Sequence, residues 1–358
     1  MNKVRYAVVG TGWISQIAFL PSIAQTGNSE VTALVSGNRA NAEKLASFHG
    51  IPHVYSYAQY DEMLKSGHVD AVYIALPNSM HADYAIRAAR AGVHALVEKP
   101  LAVTVAECEA MIAAADTAGV QLMTAYRLHS EPGTLEAIDM IRRGEIGEPR
   151  IFNSTFSFPV AAGNHRLKAE HWGGPLQDIG VYCINAMRHL FQAEPTEIIA
   201  AIAARPGDAR FSEVEEMVSA TLRFPGERLA HFIASFGGDD IDQYRVVGTT
   251  GQIEVHSGYR FDRPITVRLT KGGETVEKAF PQYDHFSGQA HYFSECILKG
   301  VRPEPDGGDG LADVAIMRAI EEAAKTGQAQ KISLPARPSH PVKDMARSFP
   351  MAEKRLML

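Results

Sequence analysis

Cysteine is scarce in this chain. Cys108, Cys183 and Cys296 are the only three among 358 residues. They stand far apart, so neither a disulfide framework nor a zinc-ligand spacing organises the fold. No metal is expected, and reduced thiols suit a reducing compartment, with the cytoplasm as the default. An excess of one charge is also missing: 35 Lys and Arg against 41 Asp and Glu leave −6, with both signs interspersed. That balance argues against nucleic acid as the main partner. No apolar run approaches the ~20 residues of a membrane span. Met1 to Gly10 leads straight into an expected strand, which leaves no room for a signal peptide. There is no internal repeat. What remains is an ordinary globular composition, 46% hydrophobic and 21% charged, in a chain longer than one hydrophobic core usually supports. Two domains are expected.

The stretch Val93-His94-Ala95-Leu96-Val97-Glu98-Lys99-Pro100 anchors the chemistry. Its apolar part reads as a buried parallel strand. Pro100 removes a ladder donor and holds Lys99 extended, so the strand ends at the charged pair. Ligands of open parallel sheets collect beyond the carboxyl ends of the strands, and there an ammonium group is placed to act. Nearer the start, Arg5 to Val9 reads as a strand that enters Gly10-Thr11-Gly12-Trp13-Ile14-Ser15 and then a helix to about Gln25. This is a G-x-G-x-x-S dinucleotide turn. Gly10 permits the tight bend, Gly12 lets the backbone approach a pyrophosphate at the helix N-terminus, and Ser15 is small enough for close helix–strand packing.

The second strand, Val31 to Val35, ends in Ser36-Gly37-Asn38-Arg39. An NAD site usually places an acid here for the ribose 2′-hydroxyl. None is present, and Ser36, Asn38 and Arg39 can donate to a 2′-phosphate, Arg39 also stacking on adenine. NADP is therefore the expected cofactor, with NAD as the alternative. Alternation of helices and strands continues through His53–Tyr55, Ala71–Ala75 with Leu76-Pro77-Asn78 behind it, the opening stretch, and Gln121–Ala125. Thr104 to Glu107 is a capping box. His81, at a helix start near the cofactor edge, is assigned a peripheral role there. Six strands alternating with helices make a doubly wound sheet over residues 1–126.

Beyond Gly144-Glu145-Ile146-Gly147 the pattern becomes a series of strands joined by short loops such as Pro225-Gly226-Glu227, which predicts a largely antiparallel sheet. The second domain is drawn at 127–335. Asp284–Lys299 and Leu311–Thr326 read as two closing helices, the second (near 308–326) packing back onto the first domain. Residues 336–358 read as an arm lying on a surface or a partner. Ala201, Ala203, Val218, Ala220, Leu222, Phe232 and Ala234 suggest a partly apolar open sheet face, and with it a homo-oligomer, a dimer or tetramer.

Asp178 and Tyr182 lie four apart on a helix expected from about Gly173 to Phe191, so both project from one face. Separately, each has a bland explanation: a helix-terminus carboxylate and a core aromatic. An acid, a phenol and a strand-end lysine in a nucleotide-binding chain make a stronger case together. At this point the chain resembles the glucose–fructose oxidoreductase/inositol dehydrogenase (Gfo/Idh/MocA) family. The matching runs are Leu34-Val35-Ser36-Gly37-Asn38, Asp70 to Ile74 with Leu76-Pro77-Asn78-Ser79, Glu98-Lys99-Pro100, Tyr126-Arg127 with His129, and Asp178-Ile179-Gly180 followed by Tyr182.

The resemblance implies an α/β fold: an N-terminal Rossmann doubly wound parallel sheet and a C-terminal α+β domain built on a largely antiparallel sheet. It also implies hydride exchange between NAD(P) and a sugar or polyol. Its catalytic residues fall on Lys99, Asp178 and Tyr182. Most relatives carry histidine at the last position, and tyrosine marks the glucose–fructose oxidoreductase version. Glu98, Arg127 and Arg166 are assigned to the cofactor, Tyr126 and Trp172 to the substrate pocket. Two features depart from that version. No arm precedes the first strand, and Asn164-His165-Arg166 lacks a tryptophan beside the arginine. The alternatives are a reductase of another carbonyl, such as an anhydro-sugar or a dihydrodiol, and a non-catalytic cofactor sensor.

Overall fold

The computed structural model describes residues 3–353 and 355–358. The chain forms two compact units. One comprises Met1–Glu131, Tyr283–Leu311 and Arg347–Leu358, the other Pro132–Gln282 and Ala312–Ala346.

The first unit is built on six parallel strands: β1 (Val4–Val9), β2 (Ser29–Val35), β3 (His53–Tyr55), β4 (Ala71–Ile74), β5 (His94–Val97) and β6 (Leu122–Thr124). Their order is β3-β2-β1-β4-β5-β6, the doubly wound dinucleotide-binding order. Tyr6 to Val9, Ala71 to Ile74 and Leu96-Val97 are almost wholly buried, as continuous apolar runs covered on both faces should be. Register aligns the carboxyl ends. Val9 lies opposite both Val35 and Ile74, Ile74 opposite Val97, and Val97 opposite Thr124. Gly10, Ser36, Ala75 and Glu98 therefore leave the sheet along one edge. The capping box is formed, Thr104 Oγ1 accepting from the Glu107 amide at 3.2 Å and Glu107 from the Thr104 amide at 2.8 Å.

The closing helices are distributed differently from the sequence expectation. Helix His285–Lys299 belongs to the first unit, not the second. Both oxygens of its N-cap, Asp284, accept from Ser22 Oγ at 2.8 Å, and Ser294 Oγ meets Tyr6 Oη and Ser29 Oγ at 2.8 Å. Only the first turn of helix Gly307–Thr326 counts with the first unit. A Cβ on Gly307 would stand 2.7 Å from Ile112, and one on Gly310 2.5 Å from Thr124 Oγ1. The arm divides as well. Residues 347–353 and 355–358 lie on the first unit, where the Phe349 carbonyl accepts from the Asp284 amide at 2.9 Å and the Leu358 amide donates to Gln16 Oε1 at 2.8 Å.

The second unit carries nine strands: β7 (Pro149–Ser157), β8 (Glu197–Ala204), β9 (Met217–Phe224), β10 (Arg228–Ser235), β11 (Ile241–Gly248), β12 (Gly251–His256), β13 (Ile265–Lys271), β14 (Glu274–Phe280) and β15 (Gln330–Lys331). The order is β14-β13-β12-β11-β7-β10-β9-β8-β15. All neighbours are antiparallel except β7 and β10.

Strict alternation separates the two faces, and it corrects the face named from sequence. Val218, Ala220, Leu222, Phe232 and Ala234 are buried, while Ala201 is half-buried and Ala203 exposed. The open face instead presents Ile151, Ile202, Leu229, Ile233 and Ile241, each 36–67% exposed. Ile202, Ser219, Ile233 and Thr155 form one row across four strands. Within the covering layer, helix Val181–Phe191 buries Arg188 completely. Its guanidinium donates to Glu194 at 2.6 and 2.8 Å and to Asp313 at 2.6 Å.

Candidate active site

At the carboxyl edge of the first unit's sheet, the glycine turn is a preformed cradle. Gly10 has φ +94°, and a Cβ there would lie 2.4 Å from the Ala75 carbonyl oxygen, so only glycine fits. Nothing lies within 4 Å of a Cβ position at Gly12, which leaves backbone approach open to a pyrophosphate. The third glycine's place is taken by buried Ser15, whose Oγ donates to the Gly10 carbonyl at 2.7 Å. The helix it enters widens into a π turn over Ser15–Phe19, a form common at functional sites. Gln16 Nε2 donates to the Thr11 carbonyl at 2.7 Å. Trp13 is 49% exposed beside this turn, and Ile14 is half-buried.

Ser36 Oγ lies 2.7 Å from Thr11 Oγ1, linking the two loops expected to hold pyrophosphate and ribose. Asn38 caps helix Arg39–His49, its Oδ1 accepting from the Asn41 amide at 3.1 Å. That occupies its carbonyl oxygen. Arg39, in the first helical turn, pairs with Glu43 at 2.8 Å, and both side chains are largely exposed. A cation is poorly placed at a helix N-terminus unless an anion joins it. Tyr57 flanks this loop, 3.2 Å from a Cβ position at Gly37; no sequence signal singled it out.

Glu98 and Lys99 follow β5 directly. The Glu98 amide donates to the Ile74 carbonyl at 2.9 Å, and Glu98 Oε1 accepts from Tyr73 Oη at 2.5 Å. Burial pushes the Glu98 carboxyl up, against the opposing pull of Lys99, Tyr73 and Arg127. Tyr73, which sequence reasoning left in the core, is itself fixed by stacking on Phe19 at 3.7 Å. The Lys99–Pro100 peptide is cis. Leu76 is buried, and Pro77 and Asn78 are half-buried at the adjacent strand end.

His81 departs from its expected peripheral place. It is fully buried, its Nδ1 2.9 Å from the Pro100 carbonyl and its Nε2 2.9 Å from the Leu76 carbonyl. Tyr126 and Arg127 are buried too. Tyr126 stacks on His129 at 5.5 Å, and Arg127 Nη1 donates to His285 Nδ1 at 2.9 Å. Burial, then the Arg127 charge, holds His285 well below the usual imidazole range.

The second unit gathers the remaining candidates. Arg166 and Asp178 pair at 2.8 Å. Asp178 sits in a π turn, Leu176–Gly180, that leads into helix Val181–Phe191. The wider turn still leaves Asp178 and Tyr182 on about one face. Tyr182 packs edge-on to Phe156 at 6.0 Å and beside Tyr259 at 6.1 Å. Trp172 has its indole N–H bound to Glu321 Oε1 at 2.7 Å and Arg318 over its ring at 4.3 Å. Gln177 Nε2 donates to the same Glu321 oxygen at 2.7 Å. Glu321 lies some 150 residues along the chain, and sequence reasoning missed it.

A unit with this strand order and this glycine turn defines a dinucleotide-binding protein. The chain belongs to the Gfo/Idh/MocA family of oxidoreductases: residues 4–126 match its NAD-binding Rossmann-fold model, and residues 134–254 match its C-terminal domain. It is 32% identical to a D-xylose 1-dehydrogenase [NADP(+)] of Haloarcula marismortui, over 91% of this chain and 92% of that one. An aldose–aldose oxidoreductase from Caulobacter crescentus, crystallised with glycerol, is 36% identical with a TM-score of 0.88, over 92% of this chain and all of that one. A 3-ketoreductase from Actinomadura kijaniata, solved with NADP and TDP-benzene, is 28% identical with a TM-score of 0.82, over 90% and 98%.

Proposed function

We propose that the protein is an NADP-dependent oxidoreductase that moves hydride between nicotinamide and a sugar or polyol. The observation that carries this reading is Lys99, delivered at the carboxyl edge two strands from the glycine turn. The aldose activities in the names of its relatives point to the substrate class. The glycine turn and the Ser36–Arg39 loop would hold NADP, which would supply or accept the hydride. Removing hydride from a carbinol carbon requires the hydroxyl proton to leave as the carbonyl forms. Tyr182 is assigned to take that proton. Lys99 is assigned to steady the alkoxide that develops on the reacting oxygen. Asp178, paired with Arg166, orients the substrate hydroxyl. A cofactor sensor would need none of these three residues. The test is a panel of aldoses, ketoses, polyols and non-sugar carbonyls assayed with purified protein by nicotinamide absorbance. Turnover confined to non-sugar carbonyls would replace the sugar reading with the reductase one.

Preference for NADP over NAD is expected from the second loop. No acid stands within the Ser36–Arg39 loop itself, a helix N-terminus at Arg39 faces the same edge, and the exposed Arg39–Glu43 pair is worth only ~0.3–0.5 kcal/mol to break. A charge-assisted contact to phosphate contributes about 1.5–3 kcal/mol, very roughly ten- to a hundredfold in affinity. Arg39→Ala should therefore weaken NADP much more than NAD, and Ser36→Asp should shift preference toward NAD. Equal losses for both cofactors on titration would refute this account.

The open sheet face supports a homo-oligomer. Ile151, Ile202, Leu229, Ile233 and Ile241 make the kind of apolar patch that marks an interface. Light scattering at micromolar concentration should give a multiple of 39.0 kDa, and Ile233→Asp should reduce it to the monomer. A monomeric wild type would refute the proposal.

A further inference from the structure

The loop carrying Lys99 is fixed on both sides, and the second fixing is not part of the sheet. On its N-terminal side the Glu98 amide is bound to Ile74 and the Glu98 side chain to Tyr73. On its C-terminal side Pro100 has no N–H to give, and the Pro100 carbonyl stands 2.9 Å from His81 Nδ1. The opposite ring nitrogen, Nε2, stands 2.9 Å from the carbonyl of Leu76, where the chain leaves β4. His81 is 0% exposed, so its ring reaches neither solvent nor a ligand. It joins the ends of two neighbouring strands, β4, which runs on into Leu76, and β5, which runs on into the lysine. Burial, helped by the Lys99 charge, holds the imidazole below its ordinary range. Both carbonyl oxygens can only accept, so the contacts are made by ring N–H groups donating from His81.

We propose that His81 is a positioning residue for Lys99: by holding the Pro100 carbonyl it sets where the ammonium group stands at the strand edge. This rests on the reading of Lys99 as the group acting on the reacting oxygen. Displacements of about 1 Å at a reacting group cost on the order of 10²-fold in rate, which makes a residue that fixes the lysine's backbone visible in kinetics.

The test uses His81→Ala, His81→Asn and His81→Gln in the full chain, with turnover, NADP affinity and thermal midpoint measured for each. An asparagine amide reaches the place of Nδ1, toward Pro100, whereas a glutamine amide reaches the place of Nε2, toward Leu76. His81→Ala should lower kcat roughly 10- to 100-fold with NADP affinity within about threefold of wild type. Asn should restore most of kcat and Gln little of it. In a Lys99→Ala background, His81→Ala should cost no more than about twofold further, because coupled residues are not additive. A kcat within twofold of wild type for folded His81→Ala would overturn the proposal. So would equal rescue by Gln and Asn, loss of NADP affinity in step with kcat, or a full additional loss in the Lys99→Ala background. If His81→Ala does not fold, the Asn and Gln variants decide. Undiminished turnover of Lys99→Ala itself would instead overturn the assignment of Lys99, and is read separately.

Discussion

Replacing Lys99 with alanine is expected to reduce turnover roughly 10²–10⁴-fold while leaving NADP affinity largely unchanged. The proposed role of the ammonium is at the reacting oxygen. The pyrophosphate, by contrast, is left to the Gly10–Gly12 turn, whose shape is fixed by Ala75, Ser15 and Gln16. Loss of a group that acts only as charge develops lowers kcat and kcat/KM together. Tyr182→Phe should behave similarly, since it removes the proposed proton acceptor and keeps the ring that packs on Phe156 and Tyr259. Tyr182→His should retain part of the activity, as histidine is the residue most of the family carries there. Initial rates on the best aldose from the panel, with cofactor binding titrated in parallel, check all three. Wild-type turnover in both Lys99→Ala and Tyr182→Phe would remove the catalytic assignment.

The largest expected loss of stability lies away from that chemistry. Arg188 is completely buried and holds two carboxylates, Glu194 through two nitrogens and Asp313 through a third. Asn185 Nδ2 donates to the other oxygen of Asp313 at 3.0 Å. Arg188→Met keeps much of the volume and strands both acids in the interior. Removing one partner of a buried ion pair costs about 3–5 kcal/mol, which for a unit of this size is a fall in Tm of roughly 6–20 °C. Neutralising the acids in the same background, with Glu194→Gln and Asp313→Asn, should recover most of the loss, because the penalty comes from unpaired charge. Calorimetry on the single and triple variants decides this, and a single-variant shift below about 2 °C would show that the cluster does not hold the helix.

The elements that carry the nucleotide were legible because each has a local cause. A glycine with nowhere to put a Cβ, a capping box at Thr104 and a strand that ends at a proline are written in neighbouring residues. What failed to show depends on partners distant in sequence. A histidine after Asn78-Ser79-Met80 reads the same whether its ring faces water or two carbonyls, so the burial of His81 was invisible. Helix His285–Lys299 is amphipathic in either unit, and its allegiance is set by Ser22 and Tyr6, more than 260 residues away. Alternation along β9 and β10 separated two faces without saying which one the helices cover. The more apolar parity was taken for the open face, and the structure has buried it along β9 and β10, as the hydrophobic effect favours. Trp172 fits a pocket or a core reading equally from sequence, and the residue that holds its indole N–H, Glu321, is a partner no motif announces.

The chain visits the nucleotide unit three times, and this governs the order in which the molecule is completed as it is synthesised. Residues 1–131 emerge first and contain all six parallel strands. Tyr6, Ser22 and Ser29 must then wait for partners from 284–294, and Gln16 for Leu358. Meanwhile residues 132–282 pass through whole, and their sheet gains its edge strand β15 only afterwards. Domains usually fold in turn from the N-terminus. Here the strands of the first unit's sheet precede the second unit in the chain, whereas the helix that meets Tyr6 and Ser29 follows it.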